Sequence, residues 1–227
     1  MMITLYHCVS ARSFRVLWAL EELERPYELV MLPFPPRVCQ RSFLEINPLG
    51  TIPFMIDGDV RMSESAAICQ YLAAMSAPTL LQVGTHEGDF GTFLNFLHFG
   101  ESTLTVPQTL ILRYGRFEPE ERRLPGVVDD YTKWFLARLR AIGPRLSETP
   151  YLAAGRFTIA DISVGYALML ADIIGLSEHF EPGVRDYWER LEGREAFQRA
   201  RRAENAAAMA QEVSNIPAPL TNATARI

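Results

Sequence analysis

The chain has 227 residues, 48% hydrophobic and 22% charged, an ordinary globular composition with length enough for one large domain or two small ones. A net charge of -5 gives no basic footprint, which argues against nucleic acid or an anionic membrane surface as a general partner. Cys8, Cys39 and Cys69 include no C-x-x-C pair, no signal-peptide pattern opens the chain, and no apolar run approaches a membrane span, so a reducing cytoplasm is the expected setting.

Residues 3–6 read as a short apolar strand, and residues 11–23 carry Phe14, Leu17, Trp18 and Leu20 at helical spacing. Pro26 breaks that helix. Residues 27–32 form a second strand, which makes the opening a βαβ unit with parallel strands and a right-handed crossover. LPFPP at 32–36 is a loop, and a short helix over 40–46 leads into residues 47–72, the stretch around which the chain is organised. There Asn47, Pro48 and Gly50 mark a turn, residues 54–56 read as a buried strand, and residues 60–62 return after DGD. Ser63, Glu64 and Ser65 then precede a helix with Ile68, Tyr71 and Leu72 on its apolar face.

Two features of that stretch are chemical. Pro53 stands immediately before a strand, where its missing N–H would forfeit a ladder bond; this points to an unusual geometry such as a cis Ile52–Pro53 bond, exposing the N–H and C=O of Ile52. The helix start beyond the hairpin combines free N–H groups, the positive end of the helix dipole and the Ser65 hydroxyl, a combination suited to a carboxylate.

Residues 76–89 are rich in turn formers, and strand signals cease beyond them. Helices are expected within 90–114, kinked or broken at Pro107, and within 125–146. An apolar helix over 159–174 has Thr158 and Asp161 at capping-box spacing and is expected to be purely structural. Shorter helices over 184–191 and 196–211 close the helical part, and the tail beyond Val213 is expected to be irregular.

Four segments, NPLGTIP at 47–53, ESAAI at 64–68, RSFRVLWALEEL at 12–23 and FTIADI at 157–162, resemble in order and spacing the cytosolic glutathione transferases of bacterial type. The resemblance covers nearly the whole chain. It implies an α/β thioredoxin-like N-terminal domain at 1–76, a linker at 77–89, an all-α helical domain at 90–213 and an irregular tail at 214–227. It further implies glutathione as co-substrate, a cis Pro53, pairing of the Ile52 backbone with the cysteinyl part of the tripeptide, and Glu64 and Ser65 at its γ-glutamyl end. A homodimer is implied as well. Where the family commonly has a basic residue two positions before the proline, this chain has Thr51, so Arg37 becomes the candidate for the glycine carboxylate.

A glutathione transferase must stabilise a thiolate, because a free thiol of pKa about 8.5 is only slightly ionised at neutral pH. The loop between the first strand and helix points at a helix N-terminus and contains Tyr6, His7, Cys8, Ser10 and Arg12. Family members place a Tyr, Ser or Cys here. Tyr6 matches the tyrosine type by its spacing to Arg12, Ser10 fits the serine type with one gap, and a third register puts Ala11 at the position. Ser10 is the preferred donor, with Arg12 as electrostatic help and Tyr6 as its rival. Cys8 offers a different chemistry, a mixed disulfide leading to thiol transfer or reduction. Cys39 and Cys69 are expected to be packing residues, and the four histidines lack metal-ligand spacing, so no metal is expected.

A small hydrophobic electrophile would be held by the loop after Tyr6 and by Phe96, Phe99, Thr103, Leu110 and Tyr114. The expected activity is transfer of glutathione to such an electrophile. The alternatives are a glutathione-dependent thiol transferase or peroxidase, and a non-catalytic ligand-binding or regulatory module of the same fold.

Overall fold

In strand β1 (Ile3–His7) the side chains of Ile3, Leu5 and His7 are buried while Thr4 and Tyr6 are half-buried, the alternation of a strand with two unequal faces. The computed structural model describes residues 2–220. Helix α1 (Phe14–Glu22) buries every residue from Phe14 to Leu20, and strand β2 (Tyr27–Met31) runs parallel to β1 with Ile3 opposite Tyr27. Two short helices, α2 (Pro36–Cys39) and α3 (Phe43–Ile46), occupy the expected loop and short-helix region; Pro36 at the first turn of α2 lacks only an N–H that would have no partner there. Strands β3 (Phe54–Asp57) and β4 (Val60–Met62) form the expected hairpin, with Met55 opposite Met62 and Gly58 in the left-handed region at φ 59°. The sheet order is β2-β1-β3-β4, with β3 antiparallel to β1, and helix α4 (Ser65–Met75) completes a thioredoxin-like domain.

The helical domain comprises α5 (Phe90–Phe99), α6 (Val106–Leu112), α7 (Pro125–Leu139), α8 (Gly143–Glu148), α9 (Ile159–Ile173), α10 (Pro182–Glu192) and α11 (Glu195–Ala210). The helix expected over 90–114 is instead a continuous helical path with two widened π turns, Gly100–Thr105 and Arg113–Phe117. Pro107, in the first turn of α6, follows on the first of these: its missing N–H and its ring act on the carbonyl four residues back, Thr103, inside that π turn, so the irregularity expected at the proline is a widening of the turn before it.

Helix α9 is apolar on all sides because it is enclosed on all sides: every residue from Ile159 to Ala171 is buried. The expected capping box at its start is present, with the Ala160 N–H donating to Thr158 Oγ1 at 3.2 Å and the Thr158 N–H donating to Asp161 Oδ2 at 2.8 Å. Gly100 permits its closest approach. A Cβ at that position would lie 2.4 Å from the Ser163 carbonyl carbon, so the first π turn rests directly on the α9 backbone. One apolar core runs through both domains, with Trp18 of α1 against Phe157 and against Phe197 of α11. On the other sheet face, Tyr6, Cys8, Leu32, Phe43 and Phe54 form a second, smaller cluster.

Candidate active site

The loop that leaves β1 is held from behind by α11. Ser10 has left-handed backbone geometry, φ 54°, which a non-glycine residue keeps only when its surroundings fix it. They do. The Ser10 N–H donates to Glu204 Oε1 at 2.6 Å, its carbonyl accepts a longer bond from the Tyr166 hydroxyl at 3.4 Å, and its Oγ accepts from Arg201 Nη1 at 2.8 Å. Glu204 is fully buried and also receives Arg201 Nη1 at 2.9 Å and His7 Nε2 at 2.8 Å. A carboxylate only accepts, so Nε2 is the protonated nitrogen of His7 in this pair.

A second arginine organises the start of α4. Arg15 is fully buried and donates to Glu101 Oε2 at 2.6 Å, Thr105 Oγ1 at 2.8 Å, the Gly100 carbonyl at 3.2 Å, the Ser163 carbonyl at 3.1 Å and Ser65 Oγ at 3.3 Å. Its guanidinium also lies 4.2 Å from the centroid of the Tyr166 ring. Glu101 binds Arg12 as well, which donates from Nε to Glu101 at 2.7 Å and from Nη2 to Thr109 at 2.8 Å. Burial by itself would raise the Glu101 carboxyl, but Arg15 and Arg12 outweigh it and hold the group below its usual range.

The Ile52–Pro53 bond is cis, and the Ile52 N–H and C=O have no backbone partner among the described residues. Glu64 is exposed at the N-cap of α4; its carbonyl accepts from the Ile68 N–H at 2.8 Å, while its side-chain carboxylate makes no hydrogen bond or ion pair among the described residues. Gly50, φ 59°, turns the chain so tightly under Arg37 that a Cβ there would lie 2.6 Å from Arg37 Cβ, bringing the exposed arginine beside Thr51.

These pieces border a cleft of about 290 Å³ between the domains. Of the residues expected from the sequence, Ser10, Arg12, Arg37 and Ile52 line it together. Glu64 and Ser65 do not line it; the Glu64 charge is felt by Arg12, which does, and Ser65 accepts from Arg15, which is buried behind it. Tyr6 is absent from its walls: the ring packs 5.4 Å from Phe43 and 6.1 Å from Phe54 in the smaller cluster. Cys8 is buried in that same cluster, and burial above all pushes its thiol far up. Cys69 is buried as expected, whereas Cys39 is exposed at the end of α2.

The expected electrophile wall is in part a different set of residues. Phe96, Phe99, Thr103, Leu110 and Tyr114 do not line the cleft, and Phe99 packs edge-on against Phe96 at 5.8 Å. Thr109, Leu112, Arg113 and Phe117, all beyond the first π turn, face the cleft instead; a π turn inserts about one residue and rotates the helix beyond it. Helix α9, expected to be purely structural, supplies Tyr166 and Leu170 one turn apart. The tail also contributes, through Ala218 and Pro219; Arg116 Nη1 donates to the Pro219 carbonyl at 2.6 Å, and the last residues, 221–227, lie outside the described residues. Periodicity conceals the π-shifted residues, and no local signal marks Arg201 or Glu204. A Tyr in an otherwise aliphatic helix was the one visible hint of Tyr166.

A thioredoxin-like sheet with a cis-proline edge, sharing a cleft with an all-helical domain, defines the class as the glutathione transferase fold. The chain belongs to the glutathione S-transferase family. Residues 5–79 match the family "Glutathione S-transferase, N-terminal domain". "Glutathione S-transferase 4" of Zea mays is 30% identical over 194 residues, covering 83% of this chain and 86% of that protein. "Glutathione S-transferase 3" of Schizosaccharomyces pombe is 27% identical over 191 residues, covering 78% and 77%. Among solved structures, Ure2p5 from Phanerochaete chrysosporium, cocrystallised with 1-(S-glutathionyl)-2,4-dinitrobenzene, superposes with a TM-score of 0.78 at 25% identity, covering 94% of this chain and 98% of that one.

The Arg15 network yields a stability prediction. Glu101→Gln leaves a buried guanidinium without its counter-charge and is expected to cost about 3–5 kcal/mol at neutral pH. Because the folded-state carboxyl is depressed, its contribution is complete above the unfolded value of about 4.3 and is lost as pH falls through the folded value. Denaturant titration of both proteins at pH 7 and at about pH 4 should therefore show the gap narrowing on acidification. A gap that widens contradicts the assignment.

Proposed function

We propose that the chain is a glutathione transferase of bacterial type, catalysing thiolate attack of glutathione on a small hydrophobic electrophile. The observation that carries this reading is the convergence of Ser10, Arg12, Arg37 and the unpaired edge of Ile52 on one cleft whose remaining wall is largely apolar. In this reading the Ile52 N–H and C=O pair with the cysteinyl unit as an added strand would, which directs the sulfur toward Ser10 and Arg12. The γ-glutamyl ammonium meets Glu64, and its carboxylate meets the α4 N-terminus and the Ser65 hydroxyl, whose proton is free because its oxygen accepts from Arg15. Arg37 takes the glycine carboxylate, in place of the basic residue that Thr51 replaces.

Ser10 lines the cleft and donates to the sulfur, favouring the ionised form; the thiol proton leaves to solvent, and the thiolate attacks an electrophile resting on Leu112, Phe117 and Leu170. With an aryl halide, a carbon–sulfur bond forms as the carbon–halide bond breaks and the halide departs to solvent. The burial of Cys8 favours this conjugation over a mixed-disulfide route, since its thiol is far from ionised and away from the cleft walls. The assembly is a homodimer, supported by exposed apolar Val106, Leu124 and Trp134 in the helical domain.

Steady-state turnover of glutathione with a simple aryl halide tests the activity; binding without turnover across electrophiles and hydroperoxides would leave the non-catalytic module. Glu64→Ala should weaken glutathione on the order of tenfold to a hundredfold in calorimetric titration, the worth of a charge-assisted bond. An unchanged affinity would show that the γ-glutamyl assignment is wrong. Sedimentation at micromolar concentration should return twice the chain mass of 25.7 kDa, and a value near one chain would rule out the dimer.

A further inference from the structure

Ser10 is the proposed thiolate donor, yet nothing in its own loop explains why its hydroxyl should donate well. The explanation lies in the last long helix. Arg201 Nη1 donates to Ser10 Oγ at 2.8 Å, occupying an oxygen lone pair and drawing electron density away from the O–H bond. No other hydrogen bond to Ser10 Oγ exists among the described residues, so its proton remains uncommitted. Arg201 is in turn fixed by Glu204, which is fully buried and simultaneously grips the Ser10 N–H. One carboxylate therefore sets both the backbone position of Ser10 and the cation behind its side chain.

We propose that Arg201 is a positioning residue for the thiolate donor: it orients and polarises the Ser10 hydroxyl from outside the cleft, so that helix α11 tunes the ionisation of bound glutathione. This rests on the assignment of Ser10 as donor. Arg201 does not line the cleft, so it acts through Ser10 and not by touching the tripeptide. The other charged or titratable groups around the loop are His7 from β1, Cys8 and Arg12 within the loop, Tyr166 from α9 and Glu204 from α11. Arg12 and Tyr166 already lie at the cleft and are engaged elsewhere, Arg12 with Glu101 and Tyr166 with the Ser10 carbonyl. Neither bonds to Ser10 Oγ.

The test is a double-mutant cycle on the full chain with Ser10→Ala, Arg201→Met and both together, reading the pH dependence of kcat/KM, glutathione affinity by calorimetry and thermal stability. Arg201→Met should raise the apparent thiol pKa and lower kcat/KM roughly three- to tenfold, the worth of one hydrogen bond, with affinity little changed. Arg201→Lys, which restores a cationic donor, should recover most of the profile; it also serves if the methionine variant fails to fold. In the Ser10→Ala background Arg201→Met should add no further shift. An equal additional shift there would overturn the proposal, as would a normal profile for both Arg201 variants beside a shifted Ser10→Ala profile. A normal profile for Ser10→Ala would instead remove the donor assignment itself, and the proposal with it.

Discussion

A fully buried guanidinium with one counter-charge is the constraint on which the rest of this structure depends. Arg15 projects from the first helix of the sheet domain, and each of its nitrogens donates to the helical domain: to Glu101, Thr105, Gly100 and Ser163. A charge so enclosed is tolerated only with its hydrogen bonds made, and they are made only when the two domains are docked in one orientation. The close contact of Gly100 with α9 is the steric counterpart, since any larger residue would hold the π turn off the helix that carries Ser163. The widened turn itself brings both the Gly100 carbonyl and Thr105 Oγ1 to Arg15.

The same arrangement occurs twice. Ser65 accepts from Arg15, which Glu101 neutralises; Ser10 accepts from Arg201, which Glu204 neutralises. In both cases the serine belongs to the sheet domain while the carboxylate behind it belongs to the helical domain; Ser10 lines the cleft and Ser65 does not. Docking of the domains thus does more than bury apolar surface. It fixes where two hydroxyl protons are left to point, which matters for a site whose task is to favour the charged form of its ligand.

How much of this was legible depended on whether the information was local. The hairpin, the cis Pro53, the capping box of Thr158 and Asp161 and the βαβ opening are each written in neighbouring residues, and each is found where the sequence placed it. Residues 32–36 were less legible, since Pro36 starts a helix where the proline cluster reads as loop. In the helical domain Phe99 packs on Phe96 before the first π turn, whereas Thr103 and Tyr114 lie within the π turns, where an inserted residue changes which face comes next while leaving the apolar pattern intact. Arg201 and Glu204 lie nearly two hundred residues from the loop they hold, and only the folded chain brings His7, Ser10 and Glu204 together. Helix α9 was read as core because it is core; that Tyr166 and Leu170 also reach the cleft is a matter of where the helix is placed, which its sequence does not record.

A transferase cleft of this kind works by ionising the thiol of the glutathione it binds. The most direct measurement is the ultraviolet absorbance of the thiolate for glutathione bound to the unaltered chain, titrated against pH without a second substrate. The expected apparent thiol pKa is clearly below the free value of about 8.5, so that the bound tripeptide is substantially ionised at neutral pH. Glutathione that binds with an unshifted thiol pKa would contradict it, and would leave a protein that holds the tripeptide without activating it.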